Sequence, residues 1–303
     1  MVVVNFALAN LNTSSGERAA LAIEGAYFRL DQVLPGCSTS VRSILDDWDR
    51  LYPRLLAAAE QCAADGSRSR ALVSSTDVEL LTPVRFPNKL ICVGAVYRDH
   101  LREFNLPAER WKNMPIFLRA PTTSIVGPGR TLAMPATTSQ FDWEIELAVI
   151  VSRRLKSADL ESATSAIAGY SVGLDMTCRD LLDRDSPTGV DLVRAKAQDG
   201  MAPVGPFVRP AAFVRDVHNL RLKLFVNDEI KQDGCTADML YSVPEQLSTI
   251  SRYITLEPGD IVFTGSPAGS GASIGQYLQP GDRIRAEIEA VGRLEVEVLA
   301  PIS

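Results

Sequence analysis

The segment Asp142-Trp-Glu-Ile-Glu-Leu-Ala-Val-Ile-Val151 limits what this chain can become more than any other stretch of it. Read as a β-strand, it places Trp143, Ile145, Leu147 and Val149 on one face and Asp142, Glu144 and Glu146 on the other. Same-face neighbours on a strand lie about 6.5 to 7 Å apart, so three ionised carboxylates repel unless water or a cation screens them. The acidic face continues into Ala148 and Ile150 and the opposite face is apolar throughout, which puts the far end of the strand in a core. Two readings stay open on the pattern alone: a solvated edge, or an oxygen-rich seat for a hard cation such as Mg²⁺ or Mn²⁺. Zinc suits the chain poorly, because its histidines are His100 and His218 and its cysteines lack ligand spacing.

Strand signals dominate from Leu90 onward, at Leu90 to Val93, Trp143 to Val151, Leu222 to Val226, Asp260 to Thr264, Arg283 to Ile288 and Leu294 to Leu299, and helical periods there are few. The last two alternate Ile284, Ala286 and Ile288 with charged residues and turn through Val291-Gly292, the pattern of a hairpin with one wet face. Pro258-Gly259-Asp260 and Pro280-Gly281-Asp282 are turns that lead into strands. The first stretch differs, with short strands near Val2 to Leu8, Ala19 to Glu24 and Ala26 to Leu30. Val41, Ile44, Leu45 and Trp48 then repeat as a helix capped by Thr39 or Ser40 and interrupted or kinked at Pro53, and a second helical run ends near Cys62. The turn-rich stretch from Ala64 to Arg70 reads as a linker. The expected fold is therefore mixed α+β and mostly β. A small N-terminal α/β domain spans 1–70, a linker 71–83 and the main domain 84–303.

With 303 residues, 46% hydrophobic and 22% charged, the chain can bury a large core. No apolar run reaches the roughly 18 to 20 residues of a membrane span, and the N-terminus lacks the basic residues of a signal peptide, so a cytoplasmic location is the default expectation. Five scattered cysteines without a C-x-x-C pair suit reduced thiols. A formal charge of −6 without a basic block argues against nucleic acid, and an anionic substrate needs local positive charge to approach.

Three further features bear on chemistry. His100 and Glu103 are three residues apart, so on a helical turn the carboxylate can orient the imidazole and stabilise its protonated form; a chance surface pair has the same spacing. His218, in a polar stretch, reads as a loop histidine. Thr264-Gly-Ser-Pro-Ala-Gly-Ser-Gly271 follows a strand and can offer backbone N–H groups to an anion, or simply form a wide turn; it matches no phosphate-loop motif. Lys196, Arg119, Arg179 and Arg98 are candidate anion partners.

Taken in order, these blocks resemble the fumarylacetoacetate hydrolase family over about Leu90 to Val298. The resemblance rests on Ile91-Cys-Val-Gly-Ala-Val-Tyr-Arg-Asp-His100, Pro115-Ile-Phe-Leu-Arg-Ala-Pro121, Val126-Gly-Pro-Gly129, Asp142 to Ala148, Gly169 to Asp180, Ala195 to Pro206, Gln232 with Thr236-Ala-Asp-Met239, and Thr264-Gly-Ser-Pro267. It implies a C-terminal β-roll domain that holds Mg²⁺ or Mn²⁺, with Ca²⁺ as a substitute, on Glu144, Glu146 and Asp175. It also implies Lys196 as a nearby cation, His100 with Glu103 as general base on a mobile lid, and a homodimer. Tyr97, Arg98, Arg119, Gln232, Thr264, Gly265 and Ser266 are the expected substrate contacts. Val96, Arg119, Leu174 and Ser266 depart from residues common in the family, and Arg119 replaces a point charge with a bidentate fork. The leading expectation is hydrolysis of a C–C bond in an acylpyruvate or related 1,3-diketo acid through a metal-bound enolate. Decarboxylation of a 2-oxo acid such as oxaloacetate, and isomerisation or hydration of a dienoate, are rivals on the same site. A non-catalytic metal- or ligand-binding protein is the rival of a different class.

Overall fold

The computed structural model describes residues 4–64, 72–73, 78–182, 187 and 189–301. Near the N-terminus, β1 (Ala7–Thr13), β2 (Gly16–Ile23) and β3 (Ala26–Arg29) form a meander. The strand expected near Val2 to Leu8 instead begins at Ala7, because the turn at Thr13 to Gly16 sets the register from Ala7↔Ala22 to Thr13↔Gly16; Val2 and Val3 lie outside the described residues. After α1 (Leu30–Val33) come α2 (Val41–Asp46) and α3 (Trp48–Ala64). The break falls at Asp47 (φ −127°), not at Pro53, which sits inside α3. As the sixth residue of α3, Pro53 forgoes the backbone bond an N–H there would make to the Asp49 carbonyl, and the helix continues through it. Ser40 is the N-cap residue of α2, although its side chain makes no capping bond. The expected linker over 71–83 is described only at β4 (Leu72–Val73), which pairs with β3, and from Val78 onward, where β5 (Glu79–Leu80) pairs with β1.

The remaining elements are β6 (Leu90–Val93), α4 (Arg98–Glu103), β7 (Ile116–Arg119), β8 (Ile125–Val126), β9 (Thr131–Ala133), β10 (Phe141–Asp142) and β11 (Ile145–Val151), followed by α5 (Leu160–Ser165), β12 (Ile167–Leu174), β13 (Thr177–Cys178), α6 (Leu192–Lys196) and β14 (Ala202–Pro210). The last part contains β15 (Arg221–Val226), β16 (Glu229–Cys235), α7 (Val243–Tyr253), β17 (Ile261–Phe263), α8 (Gly271–Ile274), β18 (Arg283–Ile288) and β19 (Gly292–Leu299). The large sheet has the order β4-β3-β2-β1-β14-β12-β11-β17-β6-β7, so β1 joins the N-terminal meander to the rest through Leu8↔Val208. A second sheet runs β16-β15-β18-β19-β9, and β10 pairs with β13 as a short ribbon. The mixed, mostly β fold expected from the sequence is the one observed, and the β18–β19 hairpin has its wet face.

The alternation in β11 acquires its meaning from two cores. Trp143, Ile145, Leu147, Val149 and Val151 enter one core with Leu222, Leu224, Ile284, Leu294 and the apolar face of α7. Ala148 and Ile150 enter the other, with Leu8, Trp48, Leu51 and Leu55 of the N-terminal elements. A strand covered on both sides cannot leave acids on its inner end facing water. Helix α7 was not anticipated, although Ser242-Val-Pro-Glu245 is a complete capping box with proline in the first turn. None of the five cysteines forms a disulfide, and no described helix is long and apolar enough to cross a membrane.

Gly169 on β12 lies against β14, where an added Cβ would sit 2.1 Å from the Arg209 carbonyl oxygen. Backbone cannot move as a flexible side chain does, so Gly169→Ala is expected to cost about 1–3 kcal/mol. Thermal melting checks this: a melting temperature within about a degree of the parent's would contradict the close β12–β14 approach.

Candidate active site

The expected strand from Trp143 to Val151 is broken at Trp143-Glu144, between β10 and β11. The neighbouring strand breaks opposite it, between β12 and β13, and the Asp175 N–H donates to the Glu144 carbonyl across the gap (2.9 Å). Gln232 from β16 supplies what the broken ladder lacks, its Oε1 accepting the Ile145 N–H (2.8 Å) while its Nε2 donates to Ser266 Oγ (2.9 Å) and the Pro267 carbonyl (2.8 Å). The gap lets Glu144 and Asp175 meet Glu146. One carboxylate oxygen of each lies within 4.8 Å of the others, and all three residues are at most 5% exposed.

Three cations surround this cluster. Lys196, at the end of α6, donates to Glu144 Oε2 (2.7 Å), Thr177 Oγ1 (2.7 Å) and Asp175 Oδ2. Arg179 donates to Asp142 Oδ2 (2.7 Å) and Glu144 Oε1 (2.5 Å). Arg119 reaches Asp175 Oδ1 and the carbonyls of Met176 (2.9 Å), Met201 (2.9 Å) and Lys196. Burial alone would raise the Glu144 carboxyl, but Lys196 and Arg179, with His100 beyond them, outweigh it and hold the group well below the usual range. Glu146 goes the other way. Burial first, and then the negative charges of Asp175 and Glu144, push its carboxyl well up, and it enters no ion pair among the described residues. An all-oxygen cluster holding one buried carboxyl without a counter-charge is a fitting seat for a hard divalent cation.

The His100–Glu103 pair lies on α4. His100 Nδ1 meets Glu103 Oε1 at 2.6 Å, and Glu103 also accepts the Gly269 N–H (2.8 Å) and the Ser270 hydroxyl (3.1 Å). These bonds outweigh burial and lower the Glu103 carboxyl. The Phe104 ring meets the imidazole edge-on at 5.2 Å.

The glycine-rich loop behaves differently from a loop waiting for an outside anion. Its N–H groups are aimed at the protein's own acids: Gly265 at Glu146 (2.6 Å), Ala268 at Asp99 (3.3 Å), Gly269 at Glu103 (2.8 Å), and Gly271 and Ala272 at Asp142 (2.7 and 3.0 Å). Gly265 (φ +89°) is required twice over, since a Cβ there would also sit 2.3 Å from Val96 Cγ2.

Several residues expected at the substrate are placed as braces. Arg119 is 2% exposed and committed to Asp175 and to carbonyls behind it, Arg98 donates to the carbonyls of Asp238 and Met239, and Thr264 donates to the Leu147 carbonyl. Tyr97 is fully buried, its hydroxyl without a partner among the described residues. Leu174 ends β12 inside the first core. His218 has a partner after all: its Nε2 accepts the Val243 N–H at the start of α7 (3.1 Å). Two contributors had no signal in the strand pattern, Thr177 beneath Lys196 and Asp238 beside α4.

Residues 89–299 match the family model described as the C-terminal part of fumarylacetoacetate hydrolase. The chain belongs to the fumarylacetoacetate hydrolase family. Among curated relatives, a mitochondrial oxaloacetate tautomerase of Homo sapiens is 34% identical over 219 residues, 72% of this chain and 68% of the relative. Among solved structures, maleylpyruvate hydrolase of Sphingobium in complex with manganese(II) and pyruvate is 28% identical, with a TM-score of 0.77 over 98% of this chain and all of that one. Fumarylpyruvate hydrolase of Pseudomonas aeruginosa, in complex with Mn²⁺ and pyruvate, is 34% identical, with a TM-score of 0.65 over 73% of this chain and 92% of that one. The family's enzymes thus include hydrolases that take Mn²⁺ and a small oxo acid.

If the cluster holds a cation, Glu146→Gln separates binding from stability. The substitution removes one ligand charge but also relieves burial of a repelled carboxyl. Calorimetric Mn²⁺ affinity should fall roughly tenfold or more while the metal-free protein melts no earlier than the parent. Unchanged affinity would remove Glu146 from the ligand set.

Proposed function

We propose that this protein is a divalent-metal-dependent hydrolase that cleaves a C–C bond in an acylpyruvate or related 1,3-diketo acid. The observation that carries the reading is the meeting of the Glu144, Glu146 and Asp175 oxygens within 4.8 Å beside a hydrogen-bonded His100–Glu103 pair. Mg²⁺ or Mn²⁺, with Ca²⁺ as a substitute, would be held by those three carboxylates and would act as a Lewis acid toward the 2-oxo-carboxylate end of the substrate.

The protein's own groups account for the proton movements. Glu103 accepts from His100 Nδ1, which leaves Nε2 as the basic nitrogen, and the paired carboxylate stabilises the imidazolium once Nε2 has taken a proton from water. The hydroxide so formed attacks the carbonyl remote from the carboxylate. As the C–C bond breaks, its electron pair passes into the departing enolate, and the imidazolium returns the proton to that fragment's carbon. Lys196, buried beside Glu144 and Asp175, would supply positive charge to the developing anion. The proposal includes residues 84–303 as the catalytic domain, a homodimer, and a cytoplasmic location.

A second reading rests on the likeness to oxaloacetate tautomerase. There His100 would move a proton between carbon and oxygen of a 2-oxo acid without any attacking water, and loss of CO₂ from the same anion is the third variant. A mass-spectrometric time course separates them, using acetylpyruvate, fumarylpyruvate and oxaloacetate with Mn²⁺, with Mg²⁺ and with EDTA, against controls without enzyme. Hydrolysis gives pyruvate and a second acid, decarboxylation gives CO₂, and tautomerisation changes no mass but shifts the keto–enol absorbance. His100→Gln is expected to lower kcat/KM about 10²–10⁴-fold with Mn²⁺ affinity unchanged. Turnover that survives the substitution would remove His100 as the base.

A further inference from the structure

The helix that carries His100 and Glu103 is six residues long, and its N-cap residue, Tyr97, supplies no side-chain capping bond. The N–H of Asp99, in the first turn, is instead accepted by Asp238 Oδ2 at 2.7 Å, from a turn nearly 140 residues further along the chain. The same turn holds the segment at three other points: the Leu240 N–H donates to the Val96 carbonyl (2.7 Å), and Arg98 Nη1 donates to the carbonyls of Asp238 (3.1 Å) and Met239 (3.3 Å).

That turn is anchored. Thr236, 1% exposed, exchanges bonds with Leu220, its N–H donating to the Leu220 carbonyl (2.9 Å) and its Oγ1 accepting the Leu220 N–H (2.8 Å). The Asp99 carboxylate itself accepts the N–H of His100 (2.7 Å) and of Ala268 in the glycine loop (3.3 Å). Burial and the neighbouring Asp238 push the Asp99 carboxyl up to about 6, the sign of two acids held close by their surroundings.

We propose that Asp238 is a positioning residue for the acid–base pair, capping from outside the helix that bears His100 and Glu103 and fixing it between the Thr236–Asp238 turn and the glycine loop. Among the described residues no hydrogen bond or ion pair joins Asp238 to His100 or Glu103, so it acts through backbone placement. The inference rests on the reading of His100 as the base given under "Proposed function", and its test does not depend on that reading alone.

The full-length chain with Mn²⁺ is compared as parent, Asp238→Ala and Asp238→Asn. Asparagine keeps a side-chain oxygen able to accept the Asp99 N–H; alanine does not. In the alanine protein, amide hydrogen exchange of the Asp99 to Glu103 segment should quicken roughly tenfold. On whichever of acetylpyruvate, fumarylpyruvate or oxaloacetate the parent consumes, kcat should fall by about the same factor with KM nearly constant. The asparagine protein should recover both to within about threefold of the parent. Exchange that does not change in Asp238→Ala overturns the cap whatever His100 does. Faster exchange with unaltered kcat overturns the positioning role, and equal loss in both variants overturns acceptance of the Asp99 N–H as its cause. Failure of the base assignment is separately visible, as His100→Gln protein that retains full turnover.

Discussion

A balance of buried charge underlies this structure. Asp142, Glu144, Glu146 and Asp175 lie out of water, and Lys196, Arg119 and Arg179 lie among them. Removing an ion from water costs several kcal/mol even after relaxation, so such a group persists only where each charge meets a partner and its hydrogen bonds are met. Here that demand dictates local backbone. Strands β10–β11 and β12–β13 break opposite one another, and the breaks let the acids converge instead of standing a pleat apart. Four acids against three cations leave one carboxyl without a counter-charge. That residue is Glu146.

The glycine-rich loop solves a related problem with neutral donors. Four N–H groups of the loop and that of Ala272 just beyond it point at Asp99, Glu103, Asp142 and Glu146, so one segment touches both the carboxylate cluster and the helix that carries His100 and Glu103. Backbone donors add no charge and cannot rotate away, which makes them suitable braces for carboxylates already crowded by their own kind. Gly265 and Gly269 sit at φ +89° and +101°, conformations in which a side chain would be strained and would collide with Val96 and the Lys231 carbonyl. The cluster and the His100–Glu103 pair are therefore braced by the same loop. Fold membership alone does not choose among hydrolase, tautomerase and decarboxylase chemistry, because all three need the same anion stabilised and the same proton moved.

Much of this was legible in the order of residues. Period-two alternation marked β11 and the β18–β19 hairpin, and the spacing of His100 and Glu103 placed them on one helical face. Less was legible where a distant group changed the local outcome. The strand through Trp143 was expected to be continuous, and it breaks because Gln232 accepts the Ile145 N–H from another sheet. Arg119 reads as an anion receptor by type, yet it is enclosed behind Asp175 by three backbone carbonyls. Helix α7 was overlooked in a region judged by strand signals, although its capping box was in plain view.

By itself, then, the sequence determined which residue types alternate, which acids share a strand face, and which short segment brings His100 and Glu103 together, because those are consequences of backbone period and near-neighbour spacing. Only the tertiary structure decided which carboxylate each cation and each loop N–H would serve. Asp175, Lys196, Arg179 and Asp238 come from segments whose separation along the chain says nothing of their separation in space. Their partners were settled by the cost of leaving a buried charge or a broken strand end unpaired.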